Sequence, residues 1–401
     1  MLSRSCLEYL NGFYLEVAMA WLGALCATGL IVMIFVDVFQ AMILPRRVRH
    51  RFRLSFIFYR IAWQICRWHA LRIPLGRRHY TLLSIFGPLS LFVLMIVWAV
   101  GLIVGFGLLY WSLDMDLVTS SGAADKRFAT YLYFSGTTFF TLGYGDLVPA
   151  GNGDRALSVA EAGIGFGFLA VVISYLPVLY QSFSRREITI SLLDARAGSP
   201  PSAGELLRRL ADVRSLSSVA PLLAEWERWA AELLESHLSF PVLRFYRSQH
   251  DNQSWVATLT MILDTSAFLI ANVDGADTYQ ARLTFAMARH AAVDLVLVSQ
   301  TPPGPVEVDR LPQADAIALR EILRQSGLAV RDEATACKTV AELRGLYEPF
   351  VNSLATFLLF TLPPFVPATK PVDNWQTSPG MVPSRGLSDL QAARARDEHA
   401  F

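Results

Sequence analysis

Residues 127–146 read Arg127-Phe-Ala-Thr-Tyr-Leu-Tyr-Phe-Ser-Gly-Thr-Thr-Phe-Phe-Thr-Leu-Gly-Tyr-Gly-Asp146, and the reading of this stretch decides the fold. Its apolar, aromatic part, about 128–139, is too short to cross a hydrocarbon core of about 30 Å, which takes roughly 20 residues of helix. An apolar segment that cannot span and that ends in Gly143-Tyr144-Gly145 fits a re-entrant helix followed by extended backbone. Such backbone is tolerated at membrane depth only where it lines a cavity.

Working outward, three stretches are long and apolar enough to span: about 17–44, about 81–113 and about 157–183. The first is expected to remain as a span rather than act as a cleaved signal peptide, because its apolar run is too long and no small-residue cleavage site follows it. Between the first and second spans, Arg46, Arg47, Arg49, Arg51, Arg53, Arg60, Arg67, Arg72, Arg77 and Arg78 occur without an Asp or Glu. The positive-inside rule makes that loop cytoplasmic, with the N-terminus outside and the third span returning to Arg185 and Arg186 at the inner face. An inner, plasma-type membrane is the expected location. Within the loop, Leu54 to Leu71 interleaves apolar residues with Arg53, Arg60 and Arg67. That pattern suits an amphipathic helix in the interface, its basic loop, 46–78, meeting anionic lipid headgroups. Arginines seven apart are too sparse for a voltage sensor. Asp37, near the inner end of the first span, is expected to pair with Arg46 or Arg47.

The chain of 401 residues is 53% hydrophobic and 17% charged, against about 25% charged in a soluble globular protein. An aromatic content of 12% rules out a largely disordered chain, and a net charge of +1 gives no electrostatic footprint for nucleic acid. The average hides two objects. Residues 1–183 carry 14 basic and 9 acidic side chains, net +5, and residues 184–401 carry 21 and 25, net −4. The four cysteines, Cys6, Cys26, Cys66 and Cys337, are too dispersed for a zinc site or a disulfide framework.

The loop after the short apolar helix has the residue types that a cation pore needs. To strip water from a cation selectively, a pore must offer a ring of oxygen dipoles, and backbone carbonyls from several chains can supply it. Thr141 offers its carbonyl and hydroxyl, followed by the carbonyls of Leu142, Gly143 and Tyr144. Pointing successive carbonyls at one axis requires unusual dihedrals, which Gly143 and Gly145 adopt without a Cβ clash. Tyr144 is expected to turn away from the axis and brace the loop. Asp146 places a carboxylate at the outer mouth, and the short helix aims its negative end at the cavity. One chain supplies one such loop, so four copies are expected.

The run Thr138-Phe-Phe-Thr141-Leu142-Gly143-Tyr144-Gly145-Asp146, flanked by two spans, resembles the potassium-channel pore family over about residues 81–183. The resemblance implies a homotetramer with one filter on the four-fold axis, the second span as outer helix and the third as inner helix. It also implies potassium held at Thr141, Leu142, Gly143 and Tyr144, as permeant ion with no cofactor. Two departures bear on filter support: position 137 is Thr where some bacterial relatives have Glu, and Tyr133 and Phe134 stand where a Trp pair is common. Thr137 and Thr138 then remain as support residues. Glu161, near the outer end of the third span, can take over part of the support by hydrogen-bonding behind the filter. Alternatively it touches water or Arg155. In the inner helix, Gly163, Gly165, Gly167 and Pro177 are candidate gate elements, the glycines being equally suited to close packing.

From residue 184 the chain reads as a mainly helical cytoplasmic domain to about 367, then a polar, aperiodic tail, 368–401, expected to be disordered. Apolar residues recur at helical spacing over 204–235, 254–272, 279–299, 312–326 and 339–360, with Pro-rich breaks at 199–201, 301–305 and 362–367. Residues 349–360 are apolar but short, fitting a core helix. No Gly-rich dinucleotide fingerprint, phosphate loop or cyclic-nucleotide pattern is present, so no regulatory ligand is legible. The run Arg247-Ser-Gln-His250-Asp251-Asn252-Gln253 reads as a helix cap through Asp251 or Asn252, or as an anion site. The expected class is an all-α membrane protein with three spans, a re-entrant helix and filter. The chain falls into 1–80 (first span and basic segment), 81–183 (pore module), 184–367 (helical domain) and the tail. Its leading function is a potassium-selective channel modulated by the helical domain. Alternatives are a less selective cation channel and a membrane-anchored signalling protein with a vestigial pore. No nucleophile, base and metal constellation suggests an enzyme.

Overall fold

The computed structural model describes residues 4–43, 53–120, 122–198, 200–212, 219–249, 253–274, 277–306, 308–325 and 329–367. Arg46, Arg47, Arg49 and Arg51, His250 to Asn252 and the tail after residue 367 lie outside the described residues. The chain divides into two compact units: Met1–Ile65 with Pro88–Leu179, and Cys66–Gly87 with Tyr180–Phe401. Two long helices pass from one unit to the other, and each carries a proline near the division. Pro88 stands at the boundary in one, and Pro177 lies two residues before Leu179 in the other.

In the first unit, α1 (Arg4–Val38) ends in a wider π turn at Phe39–Ile43; the next helices, α2 (Leu54–Ala70) and α3 (Arg77–Ser112), are each divided between the two units. The α1 and α3 helices run antiparallel in close contact, because small residues let their backbones approach. A Cβ on Gly105 would lie 2.8 Å from Ile31 Cγ1, and one on Gly101 would lie 2.5 Å from Ile34 Cδ1. Strands β1 (Leu117–Thr119), β2 (Gly122–Ala123) and β3 (Val148–Pro149) form a small antiparallel strap in the order β2-β1-β3, with Val118 opposite both Ala123 and Val148. The strap joins the segment before α4 (Phe128–Phe139) to the segment before α5 (Asn152–Ala197), fixing where the intervening loop begins and ends.

The second unit is helical: α6 (Ala203–Asp212), α7 (Val219–Ser239), a 3-10 turn (Pro241–Phe245), α8 (Trp255–Asn272), α9 (Asp277–Ser299), α10 (Gln313–Gln325), α11 (Glu333–Gly345) and α12 (Glu348–Leu358). The stretch 339–360 is two helices rather than one, since Pro349 has no N–H to continue a helix and suits its first turn instead. The cap of α8 is Ser254, whose hydroxyl accepts from Ala257 N at 3.0 Å, while the expected Asp251 and Asn252 lie outside the described residues. Every residue of α8 is buried, packed among α6, α7, α9, α11 and α12. Among the described residues four helices are long and apolar enough to cross a membrane, in α1, α3, α5 and α8. Protein covers α8 on every side, which leaves α1, α3 and α5 as the three spans expected. Among the described residues the fold is therefore all-α apart from the strap and an isolated bridge between Val273 and Val330.

The burial of α8 brings in charge. Asp264 accepts both guanidinium nitrogens of Arg310, at 2.9 and 2.7 Å, and the Tyr347 hydroxyl at 2.5 Å. Arg310 reaches on to Glu348 at 3.1 Å, and Arg344 joins Glu348 to Asp309 at 3.0 and 2.7 Å. A bidentate Arg–carboxylate pair satisfies several polar groups at once, which makes a charge tolerable inside a helical core.

Candidate functional site

The short helix α4 carries the residues that were read as re-entrant, and it ends where the glycine run begins. The N–H groups just past its end cap its last carbonyls in a crossed pattern: Phe140 N donates to Gly136 O at 3.2 Å, Thr141 N to Thr138 O at 2.9 Å, and Leu142 N to Thr137 O at 2.8 Å. Beyond that point the backbone alternates. Thr141, Gly143 and Gly145 have φ of +55°, +56° and +76°, while Leu142 and Tyr144 between them are not in the left-handed region. Alternation of this kind turns successive carbonyls toward one side. For the two glycines it is free of a Cβ clash, whereas Thr141 bears a cost of about 1–2 kcal/mol. Among the described residues none donates a hydrogen bond to the carbonyls of Thr141 to Gly145, and residues 140–146 are all exposed in the single chain. The loop thus presents a row of unengaged carbonyl dipoles.

The supports around the loop are specific. The Tyr133 hydroxyl donates to Asp146 Oδ2 at 2.9 Å, and Leu147 N donates to Asp146 Oδ1 at 3.1 Å, so the carboxylate at the end of the loop is held from α4 and from its own backbone. Thr137 supports the loop through its carbonyl, its hydroxyl being turned back to Phe134 O at 2.9 Å. Glu161 is fully buried and does not touch Arg155, which bonds Pro149 O instead. It accepts from Tyr110 of α3 at 2.5 Å and from Ser135 of α4 at 2.5 Å, and Ser135 also lies 2.9 Å from Ile103 O. One carboxyl group from α5 thereby ties the two helices that position the loop. Tyr144, expected to brace the loop, is 68% exposed and makes no hydrogen bond among the described residues.

The three inner-helix glycines differ. A Cβ on Gly165 would lie 1.9 Å from Phe139 O, so this glycine lets α5 abut the end of α4, whereas Gly163 and Gly167 face open space. Pro177 lies inside α5, which continues for 20 residues beyond it to Ala197.

A family profile described as an ion channel matches residues 92–181, which run from α3 through the loop into α5. The chain is 26% identical over 201 residues to the Uncharacterized membrane protein YdjJ of Bacillus subtilis (strain 168), covering 50% of this chain and 56% of that protein. It is 33% identical over 93 residues to Protein LctB of Bacillus caldotenax, covering 21% of this chain and 68% of that protein. This chain belongs to the ion-channel family. A second LctB, from Geobacillus stearothermophilus, is 34% identical over the same length. No solved structure matches the chain. The channel domain and its apolar helices make the protein an integral membrane protein, and the match to YdjJ spans little more than half of that relative.

Other polar sites of the channel were hidden from sequence reading. Asp37 is buried and accepts from Ser55 N at 2.9 Å, Ser55 Oγ at 2.8 Å and Trp98 Nε1 at 2.9 Å, with Arg53 Nε 3.9 Å away. It caps the first turn of α2 and pins it to α3, a role that no local spacing reveals. Tyr110 and Ser135 were likewise missed. Their signal is weak, a tyrosine and a serine in apolar helices that become a pair only when Glu161 comes between them. Among the described residues no group of three or more His, Cys, Asp or Glu is placed to hold a metal.

Proposed function

We propose that this channel conducts potassium selectively and passively as a homotetramer, the loops of four copies meeting on one axis. The observation that carries the reading is the alternating backbone of Thr141, Gly143 and Gly145, with the intervening carbonyls unengaged. Four such rows offer stacked rings of oxygen dipoles in place of a hydration shell. Thr141, Leu142, Gly143 and Tyr144 coordinate the ion, Gly145 permits the turn, and Asp146 adds charge at the outer mouth, held there by Tyr133. Exposed Tyr144 finds its bracing surface on a neighbouring copy. Thr137 and Thr138 hold the base of the loop, and Glu161 holds α4 from behind.

Pro177, with Gly163 and Gly167, gives α5 its places to bend, and the helical domain modulates that bend from the cytoplasm. The N-terminus lies outside a plasma-type membrane, and the segment 46–78 meets anionic headgroups. In the described part of that segment, Ile57, Ile61, Ile65 and Trp68 form an exposed apolar stripe, and Arg72 stacks 3.3 Å from the Trp68 ring, as suits an interface.

Full-length protein reconstituted in liposomes with a potassium gradient tests this. Barium-sensitive flux favouring potassium over sodium is expected. Equal sodium flux replaces the reading with a less selective channel, and absence of flux replaces it with a signalling protein. Glu161→Gln, which keeps hydrogen-bonding capacity, is expected to preserve selectivity, and Glu161→Ala to reduce it. Unchanged behaviour in both removes Glu161 from filter support.

A further inference from the structure

The second unit contains one end of each of two long helices, Arg77–Gly87 of α3 and Tyr180–Ala197 of α5, each beyond or beside a proline. Both ends meet the same short segment, Pro241 to Arg247. On the α3 side, Phe86 stands edge-on to Phe245 with ring centroids 5.2 Å apart. Gly87 lies so close that a Cβ there would be 2.8 Å from the Tyr246 ring and 3.1 Å from Phe245 O. On the α5 side, Phe183 packs on Tyr246 at 5.7 Å, and the buried Arg186 donates to Leu243 O at 3.0 Å and to Tyr246 O at 2.9 Å. Arg186, read from sequence as an inner-face flank, is therefore a core residue of the helical unit.

The segment is also fastened behind. Arg244 donates to Val298 O of α9 at 3.3 Å. Arg247 donates to Leu358 O and Leu359 O at the end of α12 and lies 3.9 Å over the Phe360 ring. Arg186 is further fixed by Glu187 at 2.9 Å and, through its carbonyl, by Trp229 Nε1 of α7 at 3.2 Å. His237 completes the cage. Its Nδ1 lies 2.8 Å from Leu233 O, so the proton resides there and Nε2 turns its lone pair to Arg186, 3.4 Å away.

We propose that residues 241–247 are the transducer of this channel: a clamp that holds the α3 and α5 ends to one rigid helical body, so that movement of that body bends both pore helices together. The physical reason is that a proline removes one helix hydrogen bond and makes a bend there cheap, while the clamped ends beyond it cannot move independently. The inference rests on the channel reading above, and it identifies the surface through which the helical unit regulates the pore.

Single-channel recording of the full-length protein in potassium-containing bilayers tests it. Arg186→Met removes the two bonds to the segment, and Gly87→Ala wedges a methyl against Tyr246. Each is expected to change open probability by about 5-fold or more, the usual scale of coupling between sites, with unitary conductance and ion preference unchanged. Should Arg186→Met fail to fold, Gly87→Ala and Phe86→Leu, which alter packing only, decide the matter. Wild-type gating in these variants, or a change in ion preference with unaltered open probability, overturns the clamp while leaving the channel reading intact. A wild-type protein that carries no current overturns the channel reading itself.

Discussion

The helices α3 and α8 are both apolar enough and long enough to cross a membrane, yet they lie in opposite surroundings. One face of α3 is open at Ile85, Leu89, Phe92, Ile96 and Val100, a stripe at four-, three-, four- and four-residue steps. In α8 no residue is open, and it carries Thr258, Thr260, Asp264, Thr265 and Ser266 into the core. Hydrophobicity states that a segment avoids water and leaves open whether lipid or protein replaces the water. What separates the two is polar cargo with a partner: Asp264 is matched by Arg310 and Tyr347, a match that a helix in lipid would have to find elsewhere.

The comparison breaks most directly under a lipid-soluble thiol reagent. In a background with exposed Cys26 replaced by serine, Phe92→Cys and Val100→Cys are expected to label fully in membranes and Ile262→Cys not at all. Equal labelling would place α8 in lipid. Next in size is Arg310→Leu, which leaves Asp264 buried without its cation. A loss of about 3–5 kcal/mol is expected, seen as melting of the helical unit by circular dichroism or limited proteolysis, whereas a polar substitution on the open stripe of α3 leaves that unit intact.

A packing change in the membrane unit sharpens the contrast. Gly165→Ala drives a methyl into Phe139 O and is expected to cost about 1–3 kcal/mol or more, with flux lost, while Gly167→Ala, facing open space, leaves folding unchanged. The smallest effect is a pH response confined to the helical unit. Burial first, and then Arg186, holds His237 well below the usual histidine value of 6.5. A depressed folded pKa means that the stability it contributes is whole above about 6.5 and is lost as pH falls below it, because only the unfolded chain takes up the proton. The slope is at most about 1.4 kcal/mol per pH unit, and thermal melts of His237→Gln are expected to be flatter over that range.

How much was legible in the sequence follows from how local each feature is. The loop could be read because its dihedrals demand glycine at fixed positions and its helix is too short to span. The structure places positive φ at Gly143 and Gly145, with Thr141 as the non-glycine member of the alternation. The three spans and the helical second half could be read from runs and periods. The partners of Glu161 could not, since Tyr110 is 51 residues away and Ser135 26 residues away. Nor could Ser55 and Trp98 as partners of Asp37, 18 and 61 residues away, while the expected Arg46 and Arg47 lie outside the described residues. Among the three glycines, nothing in the sequence singled out Gly165, because a close approach is a property of two helices and not of one.

By itself, then, the sequence determined that a short apolar helix ends in a glycine-punctuated loop between two spans, that a basic segment precedes them, and that a polar helical domain follows. Backbone sterics and hydrophobic length act within a few residues or one helix, so they are written locally. Only the tertiary structure decided that α8 belongs inside protein, that one buried carboxyl joins three helices behind the loop, and that Arg186 grips residues 241–247. Those outcomes depend on which helix faces meet, and burial makes each polar group require a partner that the chain can bring only by folding.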